Sequence, residues 1–211
     1  MEALNLEQMR SWILTTAAAI EKNATLLSDL DAAIGDGDHG ANMTRGFTAV
    51  VKKLETTQPS DIGALFKTVG MTLISTVGGA SGPLYGGYFL ELGKQTVGKQ
   101  ELDAAALASA LDAGLNDIKK RGKAELGDKT MVDALTPAME AMKSAGNDIV
   151  TATRTAAVTA RDAAEKTSPL LARKGRASYL GERSIGHQDP GATSSAILLE
   201  SLAEVSAKTK V

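Results

Sequence analysis

Apolar residues recur at helical spacing along nearly all of the 211-residue chain, which constrains its fold more than any other feature. Met9, Trp12, Ile13 and Ile20 share one helix face. Met43, Phe47, Val50, Val51 and Leu54 repeat the pattern, and so do Ile62, Leu65, Phe66, Val69 and Leu73 behind a Pro59-Ser60 start signal. Further helices are expected near 84–93 and over 103–120, 130–145, 150–166 and 192–207, eight in all. No segment alternates apolar and polar residues as a half-buried strand does. Alanine is abundant and aromatics make up only 3%, so helices can approach closely and helix propensity is high. Short connections make sequential helices antiparallel. The expected fold is therefore all-α: residues 1–211 as a single domain, an eight-helix antiparallel bundle or closed barrel.

Composition excludes several functions. A formal net charge of −2 offers no electrostatic reason for nucleic acid or a membrane surface as partner. With no cysteine there is neither a disulfide framework nor a Cys-based zinc site. Residues 1–20 lack the basic start and unbroken apolar run of a signal peptide, and no stretch has the length of a membrane span, so a cytoplasmic protein is expected.

Four Gly-rich polar stretches interrupt the helical pattern: 35–40, 78–83, 121–130 and 172–191. Alternate loops of a helical bundle lie at one end, so several of these can converge on one site, and loops carry function more often than helices do.

The first stretch holds the sharpest signal. Asp31, Asp36 and Asp38 fall within eight residues, Asp31 closing the last turn of the first helix and the other two alternating with glycines. Three carboxylates brought together repel unless a cation lies between them, and hard oxygen donors suit Mg²⁺ or Ca²⁺. Mg²⁺ completes its shell with water and phosphate oxygens, so the loop points to a metal-bridged polyphosphate; a solvated polar turn is the plain alternative. An EF-hand fails because the twelfth position from Asp36 is Phe47, where a bidentate Glu is required. Gly35, Gly37 and Gly40 formally spell a dinucleotide fingerprint, but the preceding segment is helical and the intervening aspartates repel phosphate. There is no Walker A sequence.

The other stretches suit an anion. Residues 78–83 offer exposed amides and the Ser81 hydroxyl beside a helix start. Thr130 either caps the next helix or contacts phosphate, and Met131 either lines an adenine slot or belongs to the core. Residues 172–191 form the most basic tract, with Arg173, Lys174, Arg176 and Arg183, and Tyr179-Leu180 suggests that it packs as a lid. Gly191 precedes the last helix. His39 and His187 lie in polar loops, where a core role is not expected; His39 follows a metal-ligand candidate and is expected to orient a nucleotide.

Taken together, Asp31 with Gly35-Asp36-Gly37-Asp38-His39-Gly40-Ala41-Asn42-Met43, Gly78-Gly79-Ala80-Ser81-Gly82-Pro83, Arg121-Gly122-Lys123-Ala124 with Gly127-Asp128-Lys129-Thr130-Met131, and Lys174-Gly175-Arg176-Ala177-Ser178-Tyr179-Leu180-Gly181-Glu182-Arg183-Ser184 through Asp189-Pro190-Gly191-Ala192 resemble the L subunits of dihydroxyacetone kinases. Four long motifs in order cover nearly the whole chain. The resemblance implies an eight-helix barrel with ADP or ATP at one end. It implies two Mg²⁺ held by Asp31, Asp36 and Asp38. It also implies nucleotide contacts from His39, Gly40, Ala41, Asn42, Ala80, Ser81, Gly122, Met131, Arg176, Asp189, Pro190 and Gly191. Arg176 would add positive charge near the transferred phosphoryl group.

The division of labour follows from the same resemblance. A separate K subunit would hold dihydroxyacetone, and this chain would present the phosphoryl group to it. In the phosphotransferase-system form, ADP stays bound and is recharged by a multiphosphoryl phosphocarrier subunit fed from phosphoenolpyruvate; a chain standing alone favours this form. In the other form, ATP exchanges and the acceptor is dihydroxyacetone or another short ketose. A third reading is an ADP-dependent binding module acting on a transcriptional regulator. No sugar-binding residue or substrate base is evident in this chain, which fits an acceptor site borrowed from a partner.

Overall fold

The computed structural model describes residues 3–208, and those residues are helical almost throughout. In chain order they form β1 (Ala3–Asn5), α1 (Leu6–Lys22), α2 (Ala24–Ile34), α3 (His39–Thr56), α4 (Ile62–Thr76), α5 (Ser81–Gln95), β2 (Glu101–Asp103), α6 (Ala104–Gly122), α7 (Met131–Ser144), α8 (Ile149–Glu165), a 3₁₀ segment (Arg176–Ser184) and α9 (Pro190–Lys208).

Eight of these helices close a ring. α1 packs on α3, each of α3 to α8 packs on its successor, and α9 returns to α1. This is the expected eight-helix antiparallel barrel. The ninth helix arises because the first expected helix breaks at Asn23, whose own N–H and side-chain amide turn back onto Ala19 and Ile20 carbonyls as a C-cap. α2 consequently leaves the ring and packs against α3, α9 and the 3₁₀ segment, and Asp31 falls in the last turn of α2 rather than of a single long helix. The two three-residue strands pair antiparallel, with Leu4 opposite Leu102. They were not visible as strands, because three residues are too few to show alternation.

Helix ends are set locally. Asp61, Asp103 and Asp148 accept amide hydrogens from Ala64, Ala106 and Thr151 and so cap α4, α6 and α8. Thr130 caps α7 in a reciprocal capping box with Asp133. The expected loop 121–130 is shorter than anticipated, since α6 continues through Gly122, and the loop at 78–83 likewise gives way to α5 from Ser81.

Inside the ring, Trp12, Phe66 and Phe89 meet with centroids 5.8–6.0 Å apart, and the indole N–H donates to the Leu198 carbonyl at 2.9 Å. α4 and α5 approach too closely for a side chain at their contact. A methyl group on Gly70 would lie 2.7 Å from the Gly86 carbonyl oxygen and 2.8 Å from the Leu90 nitrogen, both backbone atoms. Gly70→Ala should therefore force the helices apart and lower stability by about 1–3 kcal/mol, read as a reduced urea midpoint at unchanged m-value.

Candidate functional site

Because the eight ring helices alternate in direction, α3, α5, α7 and α9 all begin at the same end of the barrel. Their first turns, at His39, Ser81, Met131 and Pro190, border one cavity of about 280 Å³. Four helix N-termini facing one space, with their dipoles' positive ends towards it, favour an anion there.

The acidic trio forms the cavity's charged edge. One carboxylate oxygen from each of Asp31, Asp36 and Asp38 lies within 4.8 Å of the others. Asp31 is the organiser, its Oδ2 accepting the Asp38 and His39 amide hydrogens at 2.9 and 3.2 Å. Gly35 lets the chain pass, since a Cβ there would sit 2.3 Å from Asp31 Oδ1. Asp36 and Asp38 are exposed and Asp31 partly so, leaving oxygens free for water-bearing coordination. Three convergent hard donors with room for further ligands fit Mg²⁺.

Arg176, at the start of the 3₁₀ segment, reaches across to pair with Asp36. This pair brings one end of the 3₁₀ segment to the aspartate edge. Leu180 packs with Ile34, Ala172 and Ala177 to anchor it. Tyr179 does not pack: its ring is 87% exposed, because the 3₁₀ turn points it away from the barrel.

His39 is buried, contrary to the loop position expected for it, because α3 starts one residue earlier than the glycines suggest. Its Nε2 shares a hydrogen bond with Ser194 Oγ at 2.9 Å and its Nδ1 one with Ser81 Oγ at 3.3 Å. Tyr85 continues the network to Ser194 and Ser195 at 2.7 and 3.0 Å. Burial holds the His39 pKa below its usual value, although Asp31 and Asp38 pull the other way. A neutral imidazole with both nitrogens engaged is placed to orient a neighbour. His187 is exposed in the loop before α9.

Ala80, Ser81, Gly122, Thr130, Met131, Asp189, Pro190 and Gly191 all border the cavity with His39 and Arg176. Gly40, Ala41 and Asn42 do not. Gly40 instead sits against the Ala24 carbonyl, where a Cβ would come within 1.9 Å, and Asn42 Oδ1 accepts from Arg45. Away from the aspartates the wall is apolar, built from Leu84, Ile118, Ala124, Met131 and Val132, a slot suited to a flat base. Of these only Met131 stood out in the sequence. Leu84, Ile118 and Val132 occupy core-like helical positions and Ala124 the loop after α6, and no local signal separates a core leucine from a slot-lining one.

Asp189 is a buried carboxyl at the cavity wall. Its Oδ2 accepts from the Ala192 amide at 2.7 Å, and burial pushes its pKa up to about 7. A raised folded-state value means that this group's stabilising contribution is complete below its ordinary value of 3.8 and is lost as pH rises through about 7. The lowered His39 value acts in the opposite sense, its contribution fading as pH falls below 6.5. In chelated, nucleotide-free protein, Asp189→Asn keeps the capping acceptor and should gain on the order of a few kcal/mol relative to wild type at pH 8, with little gain at pH 4. Denaturant midpoints at the two pH values measure it; equal differences at both would refute the assignment.

Comparison with known proteins identifies the family. Residues 33–204 match the DAK2 domain family. The chain is 48% identical over 193 residues to the ADP-binding subunit DhaL of PEP-dependent dihydroxyacetone kinase 1 from Listeria innocua, covering 90% of this chain and 92% of that one. It is 44% identical over 204 residues to the corresponding Escherichia coli subunit, covering 95% and 97%. The structure superposes on the dihydroxyacetone kinase from C. freundii solved with AMP-PNP and Mg²⁺ with a TM-score of 0.73 and 28% identity, covering 97% of this chain and 34% of that longer one. The acidic trio, the four converging helix starts and these full-length similarities lead to one conclusion: the chain belongs to the DAK2 domain family, among the ADP-binding L subunits of dihydroxyacetone kinases.

Proposed function

We propose that this chain is the nucleotide-carrying subunit of a phosphoenolpyruvate-dependent dihydroxyacetone kinase. It would keep ADP with two Mg²⁺ at the open end of the barrel. A phosphocarrier subunit would rephosphorylate that ADP in place, and the phosphoryl group would pass to dihydroxyacetone on a separate K subunit. The observation that carries this reading is the placement of three carboxylates, within 4.8 Å of one another, at one edge of a cavity whose opposite wall is apolar. Mg²⁺, when bound, supplies charge neutralisation for the phosphates.

The chain's own residues divide the remaining work. Asp31, Asp36 and Asp38 hold the metal, and Asp31 also fixes the loop between α2 and α3. The amides opening α3, α5, α7 and α9 favour phosphate charge without a covalent step. Arg176 places a guanidinium at the aspartate edge, where charge builds on a transferred phosphoryl group. Met131, Leu84 and Ile118 keep water from the base.

Purified protein should retain ADP through gel filtration, and phosphate should reach dihydroxyacetone only after K subunit and phosphocarrier are added. Full activity with free ATP and K subunit alone would instead establish the exchanging form. That second reading has its own support: the chain is 38% identical to part of an L-erythrulose 1-kinase from Mycolicibacterium smegmatis, of which it covers 32%. Association of the ADP-loaded state with a transcriptional regulator is a compatible further role, tested by pull-down in each nucleotide state.

A further inference from the structure

Lys129 is the most completely buried charged side chain among the described residues, 1% exposed, yet it forms no ion pair within 4 Å there. Its ammonium donates to four main-chain carbonyls: Thr167 at 3.0 Å, Ser168 at 3.1 Å, Leu170 at 3.1 Å and Ser184 at 2.8 Å. Three protons facing four acceptors make this a cage rather than a set of single hydrogen bonds.

The cage ties the chain after α8 to the end of the 3₁₀ segment. Thr167, Ser168 and Leu170 follow the end of α8 and lead into the lid tract, and Ser184 ends the 3₁₀ segment that carries Arg176. Thr167 Oγ1 also accepts the Asp189 amide at 2.9 Å, which extends the tie to the start of α9. Lys129 itself immediately precedes the α7 cap, Thr130. One ammonium thus sets the relative positions of the lid and of two helix starts.

The backbone at Lys129 bears on the choice of variant. Its φ is +62°, a left-handed conformation that glycine adopts at no cost and a lysine only under strain. A glycine at this position would therefore remove the side chain while easing the backbone.

We propose that Lys129 is a positioning residue that locks the Arg176-bearing lid in register with the cavity, and that its carbonyl cage is a latent monovalent-cation site which K⁺ or NH₄⁺ can fill when the ammonium is removed. Carbonyl oxygens in a ring replace the hydration shell of K⁺ elsewhere in the same manner. The ADP-release and activity readouts rest on the proposed function; lid cleavage and its cation response do not.

Lys129→Gly is the principal test, because it removes the cage's occupant while relieving the backbone. In a sodium- and potassium-free lithium buffer, trypsin should cut this variant after Arg173, Lys174 or Arg176 about tenfold faster than wild type, with the far end of the barrel equally protected. ADP dissociation should accelerate by about tenfold or more, since bonds to a charged donor are lost. KCl or NH₄Cl should restore both by severalfold in the variant and leave wild type unchanged, and LiCl should restore neither. Phosphoryl transfer to dihydroxyacetone should follow the same cation order. Lid cleavage and ADP release within about twofold of wild type would overturn the positioning role. An equal response to Li⁺ and K⁺ would overturn the cation site. Lys129→Met, which retains the aliphatic stem and plugs the cage, should show the same loosening without cation rescue; rescue there would likewise count against the cage. Loss of all kinase activity in wild type with normal cation rescue of the lid in Lys129→Gly would refute the proposed reaction and leave the cage standing.

Discussion

Replacing Asp36 and Asp38 together by Asn should weaken Mg²⁺-dependent ADP binding by about a thousandfold, the largest binding effect expected of any pair in this chain. Loss of a group that merely orients a metal ligand costs roughly 10–100-fold, and here two ligands go at once. Asn keeps the size and hydrogen-bonding reach of Asp, so the turn between α2 and α3, held by Asp31 rather than by these two residues, should persist. Calorimetric titration with ADP across a series of Mg²⁺ concentrations separates metal loss from fold loss. Unchanged affinity with unchanged magnesium dependence would show that the trio is a solvated turn and would leave the kinase assignment resting on similarity alone.

Arg176→Ala should cut single-turnover phosphoryl transfer by about a thousandfold, the lower end of what a guanidinium contributes to such reactions. ADP affinity should change far less, because the residue is exposed and its partner in this structure is Asp36. Lys at the same position should recover little, since an ammonium cannot offer a planar two-donor fork. Rapid-quench measurement with preloaded phosphodonor isolates the chemical step from nucleotide release. A variant that lost affinity in proportion to rate would show Arg176 to be a binding group, and the transfer role would have to move elsewhere.

The barrel was legible because its ring helices carry unbroken apolar stripes, as in α4 with Ile62, Leu65, Phe66, Val69 and Leu73, every one of which is buried. The break at Asn23 was not legible, because the apolar pattern runs straight through it and the turn depends on where the amide caps. The acidic edge of the site was legible since it lies within one short loop. The apolar slot was not, because Leu84, Ile118, Ala124 and Val132 come from three helices and a connecting loop, and their convergence is a tertiary fact. Lys129 illustrates a further limit: a lysine after Gly-Asp reads as a solvated turn residue, and only the four carbonyls around it show otherwise.

The sequence contains a single tryptophan, and its indole bridges α1 to the Leu198 carbonyl in α9, across 186 positions of sequence. It therefore sits on the seam where the last stave of the barrel meets the first. Hairpins such as α4–α5 can assemble from near neighbours, whereas this seam must wait for the two halves of the molecule to find each other. Indole emission is consequently a built-in clock for closure: during refolding its change should trail the far-ultraviolet ellipticity that marks helix formation, and it should stay blind to whatever moves at the mouth.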